Sequence, residues 1–268
     1  MKDRRLPKVR ADRALAARGL TESRQKAQAL IMAGQVYWRE VKIEKPGQMI
    51  AADQVLTVRE RMPYVSRGGL KLADAILKSG LDTEGVVAAD LGVSTGGFTD
   101  FLLQAGAKKI FAVDVDTRQI DIKLRSDPRV VLIRKNARYL EPEDFPERLD
   151  LVTMDVSFIS VLKVLPAISA FLGDGILLSL IKPQFEVGRG EVGKKGIVRD
   201  PALHERVLRT IIEFSSEMGF GVRGVIRPSV RGQKGNQEYF LYWTLGKTEL
   251  TDEQISARIK EAISHEEN

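Results

Sequence analysis

Asp155, Lys182 and Glu238 are far apart in the chain, yet each stands at the end of an apolar run. Asp155 and Lys182 fall near the close of the runs 149–157 and 176–183, and Glu238 opens the run 239–245. A lysine drawn out of water loses part of its hold on a proton and can serve as a base or an orienting donor. With carboxylates beside it, such a set can position a hydroxyl and manage its proton. A second set surrounds the glycine-rich turn 90–100, which carries Asp90, Gly92, Ser94, Thr95, Gly96, Gly97 and Phe98. Glycines let backbone approach a ligand closely, and the helix that follows offers unpaired N–H groups. The turn is not G-x-G-x-x-G, because residue 94 is serine, and it lacks the G-K-[ST] of a phosphate loop. Asp114, 22 residues after Gly92, can accept both hydroxyls of an adenosine ribose. Asn136 is either an adenine-side contact or a turn residue. With Asp155, these residues form the candidate cofactor set for an adenosine compound, either a nicotinamide dinucleotide or S-adenosylmethionine.

Positioning these groups requires a sheet. Runs rich in Val, Ile and Leu at 86–93, 109–116, 130–137, 149–157 and 176–183 alternate with helical stretches. That pattern predicts a parallel sheet covered on both faces. The runs 220–227 and 239–245 add a terminal hairpin, so the last strand runs antiparallel and begins at the edge where the others end. Asp155, Lys182 and Glu238 then meet at the carboxyl edge, where α/β sheets bind ligands. The expected fold is α/β: a Rossmann-like sheet of about seven strands, laid out as in class I methyltransferases.

The chain's positive charge is confined to its start. Residues 1–62 hold 14 of the 42 Lys and Arg but only seven of the 36 Asp and Glu, a net of +7, which leaves −1 for the remainder. This asymmetry points to a polyanion-binding module joined to a near-neutral body. Helices are expected over 10–18 and 24–33, the second capped by Ser23, with short strands near 36–38 and 55–58. Arg24 and Lys26 open the second helix, where a phosphate would offset their conflict with the helix dipole. The pattern G-L-x-x-S-R-x-x-A-x-x-L-I-x-x-G and its surroundings, about 8–60, resemble the S4 RNA-binding domain. The predicted organisation is a small α+β S4-like domain over 1–60, a linker over 61–65 and a methyltransferase domain over 66–268.

D-L-G-V-S-T-G-G-F-T-D resembles the methionine-binding loop of FtsJ-like ribose methyltransferases, which favours S-adenosylmethionine as cofactor. Asp155-Val-Ser-Phe replaces the D/N-P-P-Y/F of amino-group methyltransferases, and no cysteine is available for cytosine C5 chemistry. A hydroxyl nucleophile remains. With V-S-R-G-G-L-K-L at 65–72, D-V-S-F-I-S at 155–160, K-P-Q-F-E-V-G at 182–188 and G-N-x-E-Y-F at 235–240, the chain resembles the TlyA (hemolysin A-like) family nearly end to end. That resemblance implies S-adenosylmethionine-dependent 2′-O-methylation of cytidine ribose in rRNA of the large ribosomal subunit. The segments 1–9 and 250–268 extend the expectation to the small subunit. It also implies a catalytic set of Lys71, Asp155, Lys182 and Glu238, and only the resemblance singles out Lys71. Arg10, Arg24, Lys26, Arg67, Lys194 and Lys195 are the candidate RNA contacts.

Composition narrows the alternatives. With 43% hydrophobic and 29% charged residues the chain is globular. No cysteine and only two histidines argue against a metal site. No apolar run reaches the ~20 residues that span a bilayer, so a soluble cytoplasmic protein without a membrane partner is expected. A non-catalytic RNA-binding or ribosome-assembly factor, a membrane-active haemolysin and a nicotinamide dehydrogenase remain as competing readings.

Overall fold

The computed structural model describes residues 7–58, 62–188, 190–232, 234–246 and 250–264. The chain divides between Met62 and Pro63 into two compact units.

The first unit is a small α+β assembly. It contains β1 (Lys8–Arg10), α1 (Ala11–Ala17), α2 (Arg24–Met32), β2 (Val36–Trp38), β3 (Val41–Lys42), β4 (Met49–Ala51) and β5 (Leu56–Val58). β1 pairs antiparallel with β4, and β2 lies antiparallel between β3 and β5. Ser23 caps α2 by accepting the Lys26 N–H at 3.1 Å, which satisfies one of the helix's open donors. Ala27 and Ile31, one turn apart, join Leu15, Val36, Ile43 and Leu56 in its core.

The second unit is a doubly covered sheet. Its elements are α3 (Arg67–Ser79), β6 (Val87–Leu91), α4 (Gly97–Gln104), β7 (Lys109–Asp114), α5 (Ile122–Arg125), β8 (Val130–Arg134), β9 (Leu151–Met154), α6 (Leu165–Phe171), β10 (Ile176–Ile181), α7 (Pro183–Glu186), α8 (Pro201–Glu217), β11 (Phe220–Ile226), β12 (Tyr239–Leu245) and α9 (Asp252–Ser264). The strand order is β11-β12-β10-β9-β6-β7-β8. β8, β7, β6, β9 and β10 pair in parallel, while β12 is antiparallel to both β10 and β11. Alternate residues of each strand face opposite ways. Val87, Ala89 and Leu91 pack on the side of α6, α8 and α9, whereas Ala88 packs on the side of α3 and α4.

Two features differ from the sequence pattern. Each of the five parallel strands stops two or three residues before the apolar run ends. Among the extra residues Val93 and Val156 are buried, whereas Val115 is exposed. After β6 and β9, burial therefore continues the hydrophobic signal past the end of the ladder. Tyr64 and Val65, expected in a linker, are built into the second unit. The Tyr64 ring meets Phe101 edge-on at 5.7 Å, and Val65 N–H donates to Asp100 at 2.7 Å.

Candidate active site

The chain leaves β6 to one side toward β7 and β8, then crosses to β9 on the other. A crevice opens between the carboxyl ends of β6 and β9, the switch point where such sheets bind ligands. There the loops touch. Asp155 N–H donates to Leu91 O at 2.9 Å, and a Cβ on Gly92 (φ 86°) would stand 2.8 Å from Asp155 O. A cavity of about 830 Å³ opens over this contact, with Gly92, Ser94, Asp114, Asn136 and Asp155 in its wall. Asp114 accepts the N–H of Ser94 at 2.8 Å through one oxygen and that of Asp116 at 3.0 Å through the other. Each carboxylate oxygen has two acceptor positions, so the fixed Asp114 keeps one on each side for a diol. Asn136 caps the turn after β8 by accepting Arg138 N–H at 3.0 Å.

The remaining cofactor candidates stand elsewhere. Gly96 (φ 95°) and Gly97 open α4, and Ser94 holds φ 52° ahead of them. Thr95 is exposed and its carbonyl accepts Asp121 N–H. The Phe98 ring is 3% exposed against Phe240, so only its backbone can serve a ligand. Asp90 is buried beneath the turn and accepts Thr99 Oγ1 at 2.7 Å and Thr153 Oγ1 at 3.1 Å. Burial pushes its carboxyl up to about 7, against the pull of those hydroxyls.

The four ionisable candidates converge. β12 pairs with β10 so that Tyr239 faces Ile181, and one step further places Glu238 opposite Lys182. Glu238 receives Lys71 Nζ at 2.5 Å, and Lys182 Nζ lies 2.5 Å from Asp155. Lys71 and Lys182 are each 8% exposed and Glu238 3%. Gln184 adds an amide donor to Glu238 at 3.3 Å. Burial pushes Asp155 up, opposed first by Lys182 and then by Lys71, while Glu238 adds to the rise. The other three groups therefore all act on the Asp155 carboxyl. Removing two ion pairs from water is a weak route to stability, so a buried set of this kind marks a site of chemistry.

Lys71 was within reach of helical geometry. Leu72, Ala75 and Ile76 form the buried stripe of α3, and Lys71 lies one turn before Ala75 on its margin. Three other residues carry no such signal. Ser157, exposed in the cavity wall, accepts Lys182 Nζ at 2.8 Å. Phe158 holds φ 64°, is 90% exposed and meets Phe185 at 5.1 Å. Glu186 accepts Ser160 Oγ at 2.6 Å and Val161 N–H at 2.8 Å, tying the loop after β9 to α7.

The basic candidates do not form one cluster. Arg10 and Arg24 both reach Asp12, a carboxylate with no exposure, at 2.9 Å. Gln28 donates to it as well. Those contacts, Arg10 foremost, hold Asp12 well below the usual carboxylate range. Lys26 is exposed on α2. In the second unit, Arg67 is exposed at the start of α3 and donates to Arg231 O at 2.8 Å. Lys195 is exposed at φ 67°. The Lys194 side chain lies outside the described residues.

A seven-stranded sheet with one reversed strand, a glycine turn after its first strand and an acid at the end of its second defines a class I methyltransferase fold. The chain belongs to the FtsJ-like methyltransferase family, whose model matches residues 64–245. It is similar to the 16S/23S rRNA (cytidine-2′-O)-methyltransferase TlyA of Mycobacterium tuberculosis, with 41% identity over 262 residues and 96% of each chain covered. It is also similar to Hemolysin A of Brachyspira hyodysenteriae, at 41% identity over 88% of this chain and all of the relative. A solved structure from Streptococcus thermophilus, provisionally named a hemolysin, matches with a TM-score of 0.73 at 40% identity, covering 97% of this chain and 95% of that one. Among the described residues no helix is long and apolar enough to cross a membrane, and no cluster of three or more His, Asp or Glu is placed to hold a metal ion.

Proposed function

We propose that the protein methylates the 2′-hydroxyl of cytidine in ribosomal RNA, with S-adenosylmethionine as donor. The convergence of Lys71, Asp155, Lys182 and Glu238 beside the cavity at the switch point carries this reading. The cavity lies in the size range of small-molecule sites. Asp114 would hold the ribose of the cofactor, Asn136 would stand on its adenine side, and the turn 92–97 would receive its amino-acid end. When bound, the cofactor supplies an electrophilic methyl group.

The chain's own residues then have three tasks. Lys182 orients the attacking hydroxyl and takes up its proton, and Asp155 tunes the lysine and holds its place. Lys71 and Glu238, locked to each other, position the ribose. Phe158 offers an exposed ring on which an unstacked base can lie, as single-stranded RNA readers commonly use. The first unit, read as an S4-like domain, grips phosphates with its excess positive charge. An rRNA substrate would place the protein with ribosomes in the cytoplasm.

The test uses labelled S-adenosylmethionine with unmethylated 30S and 50S subunits. Label should enter cytidine ribose in the 50S particle, with the 30S particle as a second acceptor, and Lys182→Ala should lose at least about 100-fold of it. Intact RNA binding without label would favour the non-catalytic assembly factor. Label on a base rather than ribose would overturn the assignment of the hydroxyl.

A further inference from the structure

Lys182 has two neighbours of different kinds. Its contact with Asp155 Oδ1, at 2.5 Å, is an ion pair with a buried carboxylate oxygen. Its directed hydrogen bond runs to Ser157 Oγ at 2.8 Å. The sheet fixes this arrangement. β9 and β10 pair in parallel with Met154 beside Ser179, and three steps further the same register sets Ser157 beside Lys182. The loop is anchored on both sides of Ser157, by Asp155 N–H on Leu91 O and by Glu186 on Ser160 and Val161. Ser157 is exposed in the cavity wall, whereas Lys182 is 8% exposed.

We propose that Ser157 is both a positioning residue for Lys182 and the outlet for the proton that the reaction releases, an inference that rests on the methyltransferase reading above. An ammonium has three N–H bonds. In the amine form that accepts a proton, one N–H is directed at Ser157 and one lies toward Asp155, which leaves the lone pair as the single direction for the substrate hydroxyl. As that oxygen bonds the methyl carbon, the carbon–sulfur bond breaks with its electron pair passing to sulfur, and the hydroxyl proton moves to Lys182 in its amine form. The ammonium so formed gives a different proton to Ser157 Oγ, while the serine's own hydrogen passes to water in the cavity. Lys182 returns to the amine and one proton has reached solvent.

The experiment compares the full-length protein with Ser157→Ala and Ser157→Thr. Its first readout is solvent exchange of the Lys182 Nζ protons, followed by ¹⁵N NMR without RNA or cofactor and assigned by the loss of the signal in Lys182→Arg. Exchange should slow about tenfold or more in Ser157→Ala and stay near the parent rate in Ser157→Thr, which keeps the hydroxyl. Its second readout is single-turnover methylation of ribosomal subunits across pH. Ser157→Ala should lower kcat about 10- to 100-fold, at the lower end of what a proton-transfer group contributes, with KM for RNA and affinity for S-adenosylmethionine unchanged. Parent-rate exchange in Ser157→Ala overturns the outlet whatever the activity does. A raised KM with unchanged kcat overturns it in favour of a substrate contact. If the unaltered protein labels no RNA, the proposed function fails by itself, and the exchange measurement still decides the role of Ser157.

Discussion

The ion pair of Lys71 and Glu238 is expected to cost stability and serve chemistry, and mutation can separate the two. Glu238→Gln leaves Lys71 buried without a counter-charge, which should destabilise the protein by about 3–5 kcal/mol in urea melts. Pairing it with Lys71→Met removes the stranded charge and should recover most of that loss while activity stays absent. Recovery of stability without recovery of labelling would mark a set kept for catalysis. Asp90 offers a second test, through pH. Its folded pKa of about 7 lies above the usual carboxylate value, so the native state holds a proton that the unfolded chain has already released. Its contribution to stability is therefore full below about pH 4, declines as pH rises toward 7 and is flat above. Asp90→Asn should flatten the stability profile between those limits and be more stable than the parent at pH 8 by a few kcal/mol, on the order set by a shift of this size. Asp155, Lys182 and Glu238 are legible in sequence because each stands at a strand end. Ser157 is not, because its nearness to Lys182 depends on the register between β9 and β10, which no residue type announces.

At the scale of elements, two glycines separate a fold requirement from a site requirement. At Gly92 a methyl group would meet the backbone of Asp155 at 2.8 Å, and φ 86° adds strain for any side chain. Neither loop can yield without shifting β6 against β9. Gly92→Ala should therefore cost about 1–3 kcal/mol and weaken binding of S-adenosylmethionine together with activity. At Gly232 a methyl group would instead stand 2.4 Å from Glu238 Oε1, the end of a side chain. The carboxylate can give way only by loosening its pair with Lys71, so Gly232→Ala should lower kcat and also the melting temperature, with cofactor affinity unchanged. Calorimetry with S-adenosylmethionine and single-turnover labelling would separate the two variants. The sheet itself was readable from apolar runs and from the hairpin that reverses β12. Its strand ends were not, because Val93 and Val156 are apolar for the sake of the site's floor rather than the ladder. The conformation of Phe158 was equally hidden, since φ 64° at a phenylalanine is set by the loop anchors and not by the residue's preference.

For the molecule as a whole, the segregation of charge sets how it should meet a polyanion. The net +7 of residues 1–62 predicts binding to ribosomal RNA that weakens steeply with salt, by the release of counterions from each phosphate engaged. Not every cation there is equivalent. Asp12 is buried, and Arg10, Arg24 and Gln28 all donate to it, so these arginines hold the first unit together as well as facing solvent. Because Asp12 is held below its usual range, that contribution is present above about pH 4 and disappears as pH falls through the lowered value. Composition counted Arg24 and Lys26 alike, since a buried acid inside a basic module gives no sign of its burial. Lys26→Ala should lower the slope of log affinity against log salt by about one and leave melting unchanged, as expected for a lone phosphate contact. Arg24→Ala removes a cation and a partner of Asp12 together, so it should lower the melting temperature in addition to weakening binding. Filter binding to ribosomal RNA at several salt concentrations, read beside thermal melts of the same variants, distinguishes the two. Equal melting for both variants would mean that the Asp12 cluster does not need Arg24, and that both positions act on RNA through charge alone.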